Sequence, residues 1–413
     1  MESSTPESFA VLGGEGFVGQ AIIQSLLSNH PPSAVASFGL TQRTFFPPSY
    51  RFFHTDVTSY SAVLSSLKLS GATTVFHTVS PHPTASKEMC EKVNVQGTKA
   101  ILEACREAGV RKLVFTSSVT VCFDGKDIVN CDERLPKVEG SRDPYVATKA
   151  AAEALVIEAN GKGGLLTCAL RFGGIFGPGD RQCIPGLIKV YHDSQTSFQM
   201  GYNLNLFDFI HIDNVVHAHI LAAERLSSPP ISPSIFEDRL PPVYSSIPYR
   251  FVPTSLQHSP SSLKAPAPDP LPAMRHRFDQ FAFLSPSSHS ASPPSDSPLL
   301  SVAGETFIIS NGEPIAFWSF ARAVWHEYAN HVPRVVIPLP VGLGLMMASV
   351  AEWFAWLRGD TSGEGLTRVH VSYVVCGLYF DIEKVSFSLR RSFSVERIAE
   401  FMLGDEGEES TGL

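Results

Sequence analysis

Residues 9–27 read FAVLGGEGFVGQAIIQSLL, in which a short apolar run passes through a glycine-rich turn into a second apolar run with helical spacing. Three of the glycines recur at every third position. In such a strand–turn–helix unit the first glycine permits a tight turn, the second lets the backbone approach a pyrophosphate, and the third allows the helix to pack closely on the strand. The stretch therefore predicts a dinucleotide-binding site at the start of the helix. Its residues are Gly13, Gly16, Phe17, Val18 and Gly19.

The alternation of strand and helix continues through the first 175 residues. Helical patterns occupy Phe17–Leu27, Val95–Ala108 and Tyr145–Ala159, between apolar runs of strand length. Alternating segments at this spacing predict an α/β fold, a Rossmann-type doubly wound parallel sheet with a smaller C-terminal substrate-binding region. The predicted strands are Phe9–Leu12, Val35–Leu40, Arg51–His54, Thr73–His77, Lys112–Thr116 and Leu165–Arg171.

Changes in composition predict the domain boundaries. Proline and serine dominate residues 229–300, as in HSPSSLKAPAPDPLPA, and predict a disordered insertion. Its origin as a regulatory loop or as a translated intron stays open. The predicted organisation is a dinucleotide-binding core at 1–175, a substrate-binding region at 176–228 and 301–403 with a strand and a helix returning to the core, the insertion at 229–300 and an acidic tail at 404–413.

Charge and cysteine usage narrow the classes of partner. The chain of 413 residues carries 32 Lys and Arg against 40 Asp and Glu, a net charge of −8, with no basic tract, which argues against a nucleic-acid partner. Its seven cysteines form no CxxC pair and predict reduced thiols in a cytosol-facing protein without a metal site. The first residues, MESSTPESFAVLGG, predict no signal peptide.

Residues 335–357 read VVIPLPVGLGLMMASVAEWFAWL and have the length of a membrane span. Two prolines and Glu352 within the segment argue against a full span. Two alternatives remain, a core helix and a segment lying in a membrane interface with Trp353 and Trp356 at headgroup depth. The second alternative predicts peripheral membrane contact.

The choice between NAD and NADP stays open in the sequence. An acid that holds the adenosine ribose is expected about 20 residues after the glycine turn. Counting from Gly19 gives Gly39, with no acid nearby, while Arg43 follows and could pair with a 2′-phosphate. This favours NADP modestly, although Arg43 could equally be solvated. Asp56 is placed to accept a hydrogen bond from an adenine amine. The alternative is that Asp56 is only an acidic residue at the N-terminus of a helix.

A catalytic set is indicated by two short stretches. Thr116, Ser117 and Ser118 end the fifth predicted strand, where open α/β sheets bind ligands. Tyr145 and Lys149 stand one helical turn apart at the head of an alanine-rich run. A nearby ammonium favours the phenolate and lowers the pKa of a tyrosine, which makes it a usable base.

Together these motifs resemble the extended short-chain dehydrogenases/reductases, specifically the 3β-hydroxysteroid dehydrogenase group. The likeness covers nearly the whole chain except the insertion and the last few dozen residues. The stretches that carry the resemblance are GGEGFVG (13–19), VFHTVSP (75–81), VNVQGT (93–98), LVFTSS (113–118), YVATK (145–149), RFGGIFGPGDRQ (171–182) and the blocks 205–224 and 304–325.

The resemblance implies roles for individual residues. Ser118 would hold the substrate oxygen, Tyr145 would be the acid/base, and Lys149 would tune Tyr145 and bind the nicotinamide ribose. Asn94 is similar to the family's helix-breaking asparagine that supports the site, with a helix N-cap as the alternative. Phe172 stands where the family usually has proline, next to where nicotinamide is gripped. His77 is expected to be a packed histidine, and Arg171, Asp208 and Asp213 are expected to organise the substrate-binding region.

The resemblance also implies an activity. It is closest to family members that oxidise a sterol 3β-hydroxyl with NAD or NADP and lose the 4α-carboxylate as CO2. Dehydrogenation of a hydroxysteroid or terpenoid without decarboxylation is the first alternative, and a non-catalytic dinucleotide sensor is the second. The expected location is the cytosolic face of the endoplasmic reticulum membrane, or else the cytoplasm, and a homodimer is expected.

Overall fold

The structure of the protein, a computed structural model, describes residues 7–44, 50–133, 135–141, 143–226, 250–251, 273–274, 302–358 and 367–382. Apart from two short strands, the predicted insertion lies outside these residues, and so does the predicted tail. In the described residues the strands are β1 (Phe9–Leu12), β2 (Val35–Gly39), β3 (Arg51–His54), β4 (Thr74–His77), β5 (Lys112–Ser118), β6 (Ile128–Cys131), β7 (Leu166–Phe172), β8 (Gly174–Phe176), β9 (Phe198–Met200), β10 (Leu206–Phe207), β11 (Phe209–His211), β12 (Arg250–Phe251), β13 (Ala273–Met274), β14 (Thr306–Ile309), β15 (Ile315–Ala316), β16 (Ile337–Leu339) and β17 (Leu378–Phe380). The α-helices are α1 (Phe17–Asn29), α2 (Tyr60–Ser70), α3 (Lys87–Cys90), α4 (Thr98–Ala108), α5 (Pro144–Glu158), α6 (Cys183–His192), α7 (Ile212–Arg225), α8 (Phe317–Ala329), α9 (Val341–Leu357) and α10 (Arg368–Val375).

Seven strands form the central sheet in the order β3–β2–β1–β4–β5–β7–β14. Every neighbouring pair in it is parallel. The doubly wound sheet predicted from the alternating pattern is therefore confirmed, and the six predicted strands agree with the observed bounds to within two residues. The strand order reverses between β1 and β4, and ligands bind at such a switch point.

Helices cover both faces of this sheet, which explains why its central strands are largely apolar. All four residues of β1 are buried. On one face Ile22 of α1 and Val215 of α7 belong to the same buried cluster. On the other face Leu67, Ile101 and Val156, from α2, α4 and α5, belong to a second cluster. Burial of each such side chain stabilises the fold by about 1.5–3 kcal/mol, so the sheet holds its carboxyl edge in a fixed position.

A smaller sheet, ordered β15–β10–β17–β6, lies beyond the central one. Aromatic rings fill its core, and Phe209 stacks on Phe320 with ring centroids 3.9 Å apart. The buried carboxylate of Asp208 accepts the N–H of Phe380 at 2.8 Å and so links the segment after β10 to β17. Burial raises the pKa of Asp208 to about 7. Strand β6, from the first part of the chain, is an edge of this sheet.

The segment 335–357 forms β16 and α9. Its apolar side chains are largely exposed, Met346 to 57% and Trp353 to 54%, so the core-helix alternative is wrong for most of the segment. The side chain of Trp356 lies outside the described residues. None of the helices that the structure describes is long and apolar enough to cross a membrane. We define the α9 surface as six of the exposed apolar residues of this segment, namely Ile337, Met346, Met347, Val350, Trp353 and Phe354.

Candidate active site

The glycine turn has the geometry that a dinucleotide requires. Gly13 adopts a φ of +82°, which disfavours other residues, and its N–H donates to the carbonyl of Phe38 at 2.9 Å. A Cβ on Gly19 would lie 2.2 Å from the carbonyl oxygen of Gly13, so a side chain there would separate α1 from the turn. The N-terminus of α1 carries no side-chain cap at Gly16, which leaves backbone N–H groups for a phosphate. The residues present therefore fit a dinucleotide.

A cavity of about 1430 Å³ joins the glycine turn to the carboxyl ends of β5 and β7 and continues to α10. It brings together most of the predicted site residues. Arg43 and Asp56 do not line it. The predicted residues that line it are Gly16, Phe17, Val18, Gly19, Ser118, Tyr145, Lys149 and Phe172.

Asp56 and Arg43 lie outside this cavity. The carboxylate of Asp56 accepts the N–H and the hydroxyl of Thr58 at 2.9 and 2.8 Å, and these bonds lower its pKa. The N-cap of α2 is Ser59, so Asp56 closes the turn before the helix. The side chain of Arg43 is exposed. Their predicted contacts with a cofactor stay predictions.

The two serines at the end of β5 have different surroundings. Ser117 is buried, and its hydroxyl donates to Glu153 at 2.7 Å. Ser118 is partly exposed, and its hydroxyl hydrogen-bonds that of Thr120 at 2.8 Å on the cavity side. Both serines line the cavity, and the choice of Ser118 as the substrate-facing residue stays a prediction.

Helix α5 places Tyr145 by a local sequence signal. Asp143 caps the helix, because its carboxylate accepts the N–H groups of Tyr145 at 2.8 Å and Val146 at 3.2 Å. Pro144 at the first helical position favours the helical start. The stretch DPYVATK therefore determines that the helix begins at Pro144. Tyr145 lies in the first turn of this helix, and Lys149 lies one turn later.

The pKa of Tyr145 differs in direction from the sequence prediction. Burial raises this pKa, Asp143 raises it further, and a hydrogen bond with Ser80 opposes the rise. The expected lowering by Lys149 is not what the structure shows. In the protein without bound cofactor, the phenol is protonated at neutral pH and depends on Ser80 for stabilisation of its anion.

Ser80 connects Tyr145 to Asn94. The Ser80 hydroxyl donates to the Asn94 side-chain oxygen at 3.4 Å, and the Asn94 amide donates to the Thr148 hydroxyl at 3.0 Å. Asn94 lies inside Glu91–Gly97, which is wound as a π-helix, a form found frequently at functional sites. The N-cap alternative for Asn94 is therefore wrong, and its side chain joins α5 to the cavity wall.

The position of the Lys149 ammonium explains why it does not lower the pKa of Tyr145. The Lys149 ammonium donates to the carbonyl of Thr116 at 2.6 Å and lies 4.3 Å from the centroid of the Phe115 ring. It is only 2% exposed, and burial lowers its pKa to about 7. His77 is buried beside the same group, and burial together with Lys149 lowers its pKa to about 3. His77 is thus the packed neutral histidine that was predicted.

The low pKa of Lys149 predicts a pH dependence of stability. Between pH 7 and about 10.4 the unfolded chain keeps a proton on Lys149 that the folded protein releases, so the free energy of unfolding rises with pH across this window. Urea denaturation of the cofactor-free protein and of Lys149→Met at several pH values measures it. The free energy of unfolding of the wild type minus that of the variant should rise from pH 7 to 10. A difference that does not change with pH would contradict the lowered pKa of Lys149.

Phe172 replaces the proline expected at the end of β7 and packs in an unforeseen way. Its ring stacks on His219, with centroids 5.2 Å apart and planes at 17°. His219 donates from Nδ1 to the carbonyl of Val215 at 2.7 Å and accepts the Thr116 hydroxyl on Nε2 at 2.8 Å. Burial lowers the pKa of His219 to about 4. No sequence motif pointed to His219.

A buried ion pair lies beneath Ser118. Arg171 of β7 meets Glu153 of α5 through two hydrogen bonds of 2.9 and 2.7 Å, and the Ser117 hydroxyl adds a third. Arg171 thus joins the last turns of α5 to the sheet, whereas Asp213 lies half-exposed in the first turn of α7. No sequence motif indicated the role of Glu153.

A doubly wound parallel sheet, with a glycine turn at its switch point and a Ser–Tyr–Lys set at its strand ends, defines a short-chain dehydrogenase/reductase of the extended type. Residues 10–240 match the 3-beta hydroxysteroid dehydrogenase/isomerase family, and the chain belongs to that family. This confirms the predicted resemblance and the predicted oxidoreductase acting on CH–OH groups with NAD or NADP.

Two relatives and two solved structures illustrate the likeness. The chain is 31% identical to sterol-4-alpha-carboxylate 3-dehydrogenase erg26, decarboxylating, of Schizosaccharomyces pombe, over 93% of each chain. It is 44% identical to the human sterol-4-alpha-carboxylate 3-dehydrogenase, decarboxylating, over 52% of this chain and 57% of that one. UDP-glucose 4-epimerase of Thermotoga maritima has a TM-score of 0.58 at 14% identity, covering 95% of this chain and 99% of that one. The Thermus thermophilus enzyme with NAD has a TM-score of 0.51 at 20% identity, over 81% and 86%. These two structures share the fold.

Proposed function

We propose that the protein oxidises the 3β-hydroxyl of a 4α-carboxysterol with NAD or NADP and that CO2 is then lost. The observation that carries the proposal is the single cavity that joins the glycine turn to Ser118, Tyr145 and Lys149. The relatives that match most of the chain carry the name of this reaction. The substrate-binding region would be formed by the smaller sheet with α6, α8, α9 and α10.

In the proposed mechanism the phenolate form of Tyr145, which is the minor form at neutral pH, removes the proton of the 3β-hydroxyl. A bound nicotinamide supplies the chemistry of hydride acceptance from C3. The Ser118 hydroxyl donates a hydrogen bond to the substrate oxygen as it becomes a carbonyl. The Ser80 hydroxyl would stabilise the Tyr145 phenolate by donating its proton to it in place of Asn94. Lys149 would hold the nicotinamide ribose, the role that the resemblance implies.

Decarboxylation needs no further catalytic residue in this scheme. Oxidation at C3 turns the 4α-carboxylate into a β-keto acid. The C4–carboxyl bond then breaks, CO2 leaves, and its electron pair forms an enolate with the negative charge on the C3 oxygen. Ser118 and the protonated Tyr145 would stabilise this oxygen, and protonation at C4 gives the ketone.

The experiment offers the purified protein a 4α-carboxysterol and the same sterol without the carboxylate, with NAD+ and NADP+ separately, and identifies the products by mass. Conversion of the acid to a decarboxylated 3-ketone supports the proposal. Conversion of the carboxylate-free alcohol alone would assign the protein to dehydrogenation without decarboxylation. Cofactor binding with no turnover of either sterol would contradict an enzymatic role.

Membrane contact belongs to the same proposal. The cavity is lined at its far end by Glu352 of α9 and Arg368 of α10, whose side chains form an ion pair of 2.8 Å. The α9 surface, with Trp353, begins beside this end. A sterol dissolved in lipid would then reach the cavity from the membrane face. We propose peripheral attachment to the cytosolic face of the endoplasmic reticulum; a homodimer, which rests on the resemblance, is also proposed.

Liposome binding tests the attachment. The double variant Met346→Asp/Trp353→Asp should bind phosphatidylcholine vesicles at least tenfold more weakly than the wild type, because each residue loses about 1.5–3 kcal/mol of apolar burial. Leu69→Asp is the matched control, since Leu69 is 70% exposed on α2, distant in sequence from the α9 surface. Equal binding by the wild type and the double variant in a vesicle-sedimentation assay would exclude the α9 surface as the contact.

A further inference from the structure

The glycine turn contains an acid, Glu15, whose carboxylate lies at the end of β2. It is 7% exposed and makes bonds from both oxygens. One oxygen accepts the hydroxyl of Ser37 at 3.2 Å and lies 3.5 Å from the hydroxyl of Tyr50. The other accepts the backbone N–H groups of Arg43 and Thr44 at 2.8 and 2.9 Å. Glu15 therefore holds the start of the loop between β2 and β3 against the turn.

The position of Glu15 bears on the acid missing from the end of β2. A Cβ built on Gly39 would lie 3.7 Å from Cγ of Glu15, an ordinary contact distance. The side chain of Glu15 thus occupies the space beside Gly39 into which an acid at the strand end would extend. Gly14 permits this closeness, because a Cβ there would lie 2.3 Å from the Ser37 hydroxyl oxygen.

We propose that Glu15 replaces the missing strand-end acid and makes the protein prefer NAD to NADP. In doubly wound folds an acid in this place accepts the adenosine ribose hydroxyl and disfavours a 2′-phosphate. The same carboxylate brings its charge close to the site of a 2′-phosphate in a partly buried setting, where screening by solvent is reduced. The preference expected from the lack of an acid at Gly39 is thereby reversed.

Arg43 is the competing residue, since a guanidinium could pair with the 2′-phosphate. Its backbone is fixed by Glu15, but its side chain is exposed. Exposed ion pairs contribute little. Arg43 therefore offsets only a small part of the repulsion from Glu15.

Calorimetric binding of NAD+, NADP+, 5′-AMP and adenosine 2′,5′-bisphosphate tests the proposal without turnover or sterol. The wild type should bind NAD+ at least tenfold more tightly than NADP+, with the same order for the two adenosine ligands. Glu15→Gln should reduce the ratio of the two Kd values at least fivefold, whereas Arg43→Ala should change it less than twofold. Tighter binding of NADP+ by the wild type would overturn the proposal.

Two further variants separate charge from support of the loop. Glu15→Gln removes the charge and keeps one oxygen that can accept the Arg43 and Thr44 N–H groups, but its NH2 group replaces the oxygen that accepts the Ser37 hydroxyl. Glu15→Asp keeps the charge and should keep the preference for NAD even if both nucleotides bind more weakly. Glu15→Gln/Gly39→Asp returns an acid to the strand end and should restore the ratio. A folded Glu15→Gln protein with an unchanged ratio, or a double variant with no restoration, would refute the assignment.

Discussion

Replacing Tyr145 by phenylalanine should lower kcat for sterol oxidation by about 10²–10⁴-fold, the usual contribution of a positioned general base. The Kd for the dinucleotide should change little, because the phenyl ring keeps the packing at the head of α5. The reason is chemical, since Tyr145 is the titratable side chain proposed to accept the 3β-hydroxyl proton. Steady-state kinetics and calorimetric cofactor binding measure the two quantities on one preparation.

The matched control is Tyr373→Phe. Tyr373 also lines the cavity, and burial likewise raises its pKa, but it lies on α10 and is not one of the proposed catalytic residues. Its loss should change kcat less than tenfold. Activity of Tyr145→Phe equal to the wild type, with the control also active, would remove Tyr145 from the mechanism.

Replacing Arg171 by methionine should lower the free energy of unfolding by about 3–5 kcal/mol, the usual effect of leaving one partner of a buried ion pair uncompensated. Glu153 would keep the Ser117 hydroxyl as a donor. Lys137, whose ammonium lies 3.5 Å from the carboxylate, would compensate part of the charge. The loss should therefore fall near the lower end of the range, and urea denaturation at neutral pH measures it.

The double variant Arg171→Met/Glu153→Leu tests the cause of that loss. With both charges removed, no uncompensated carboxylate is left at position 153, and apolar replacements of similar volume are often neutral or stabilising. Most of the lost stability should return. A double variant as unstable as Arg171→Met would show that packing of the arginine stem, and not the unpaired charge, is what matters.

The sheet and its helices were predictable because their signals are local. Strand β1 is an apolar run, and the start of α5 is determined by Asp143 and Pro144. The glycine turn likewise needs only its own spacing. The Ser–Tyr–Lys set followed once the strand ends were placed, because parallel strands bring their carboxyl ends to one edge.

The remaining features depend on contacts between distant parts of the chain. A helical spacing of four brings Tyr145 and Lys149 to one face but does not determine where a flexible lysine points, and Lys149 reaches Thr116. Likewise the apolar content of 335–357 suits a core or a surface equally. Packing in the folded chain decides between them. One side of α9 packs closely on Met200, since a Cβ on Gly344 would lie 2.4 Å from its sulfur, whereas Met346 and Trp353 remain exposed.

Glu15 and His219 were missed for the same reason, since Ser37 and Thr116, their partners, are 22 and 103 positions away. A charged residue inside a glycine turn was the available signal for Glu15. His219 carried none, because a histidine within an apolar helix is an ordinary core residue. The buried contacts that adjust a site are thus harder to predict from the sequence than the residues that form it.

The π-helical turn at Glu91–Gly97 makes the site depend on the number of residues as well as on their identity. Such a turn contains one residue more than an α-helical turn, and each residue advances an α-helix by about 100°. Deletion of a single residue between Glu91 and Val93 would let the segment close to an α-helix and would rotate Asn94 away from Ser80 and Thr148. Insertions and deletions here would therefore disable the site while every catalytic side chain was retained.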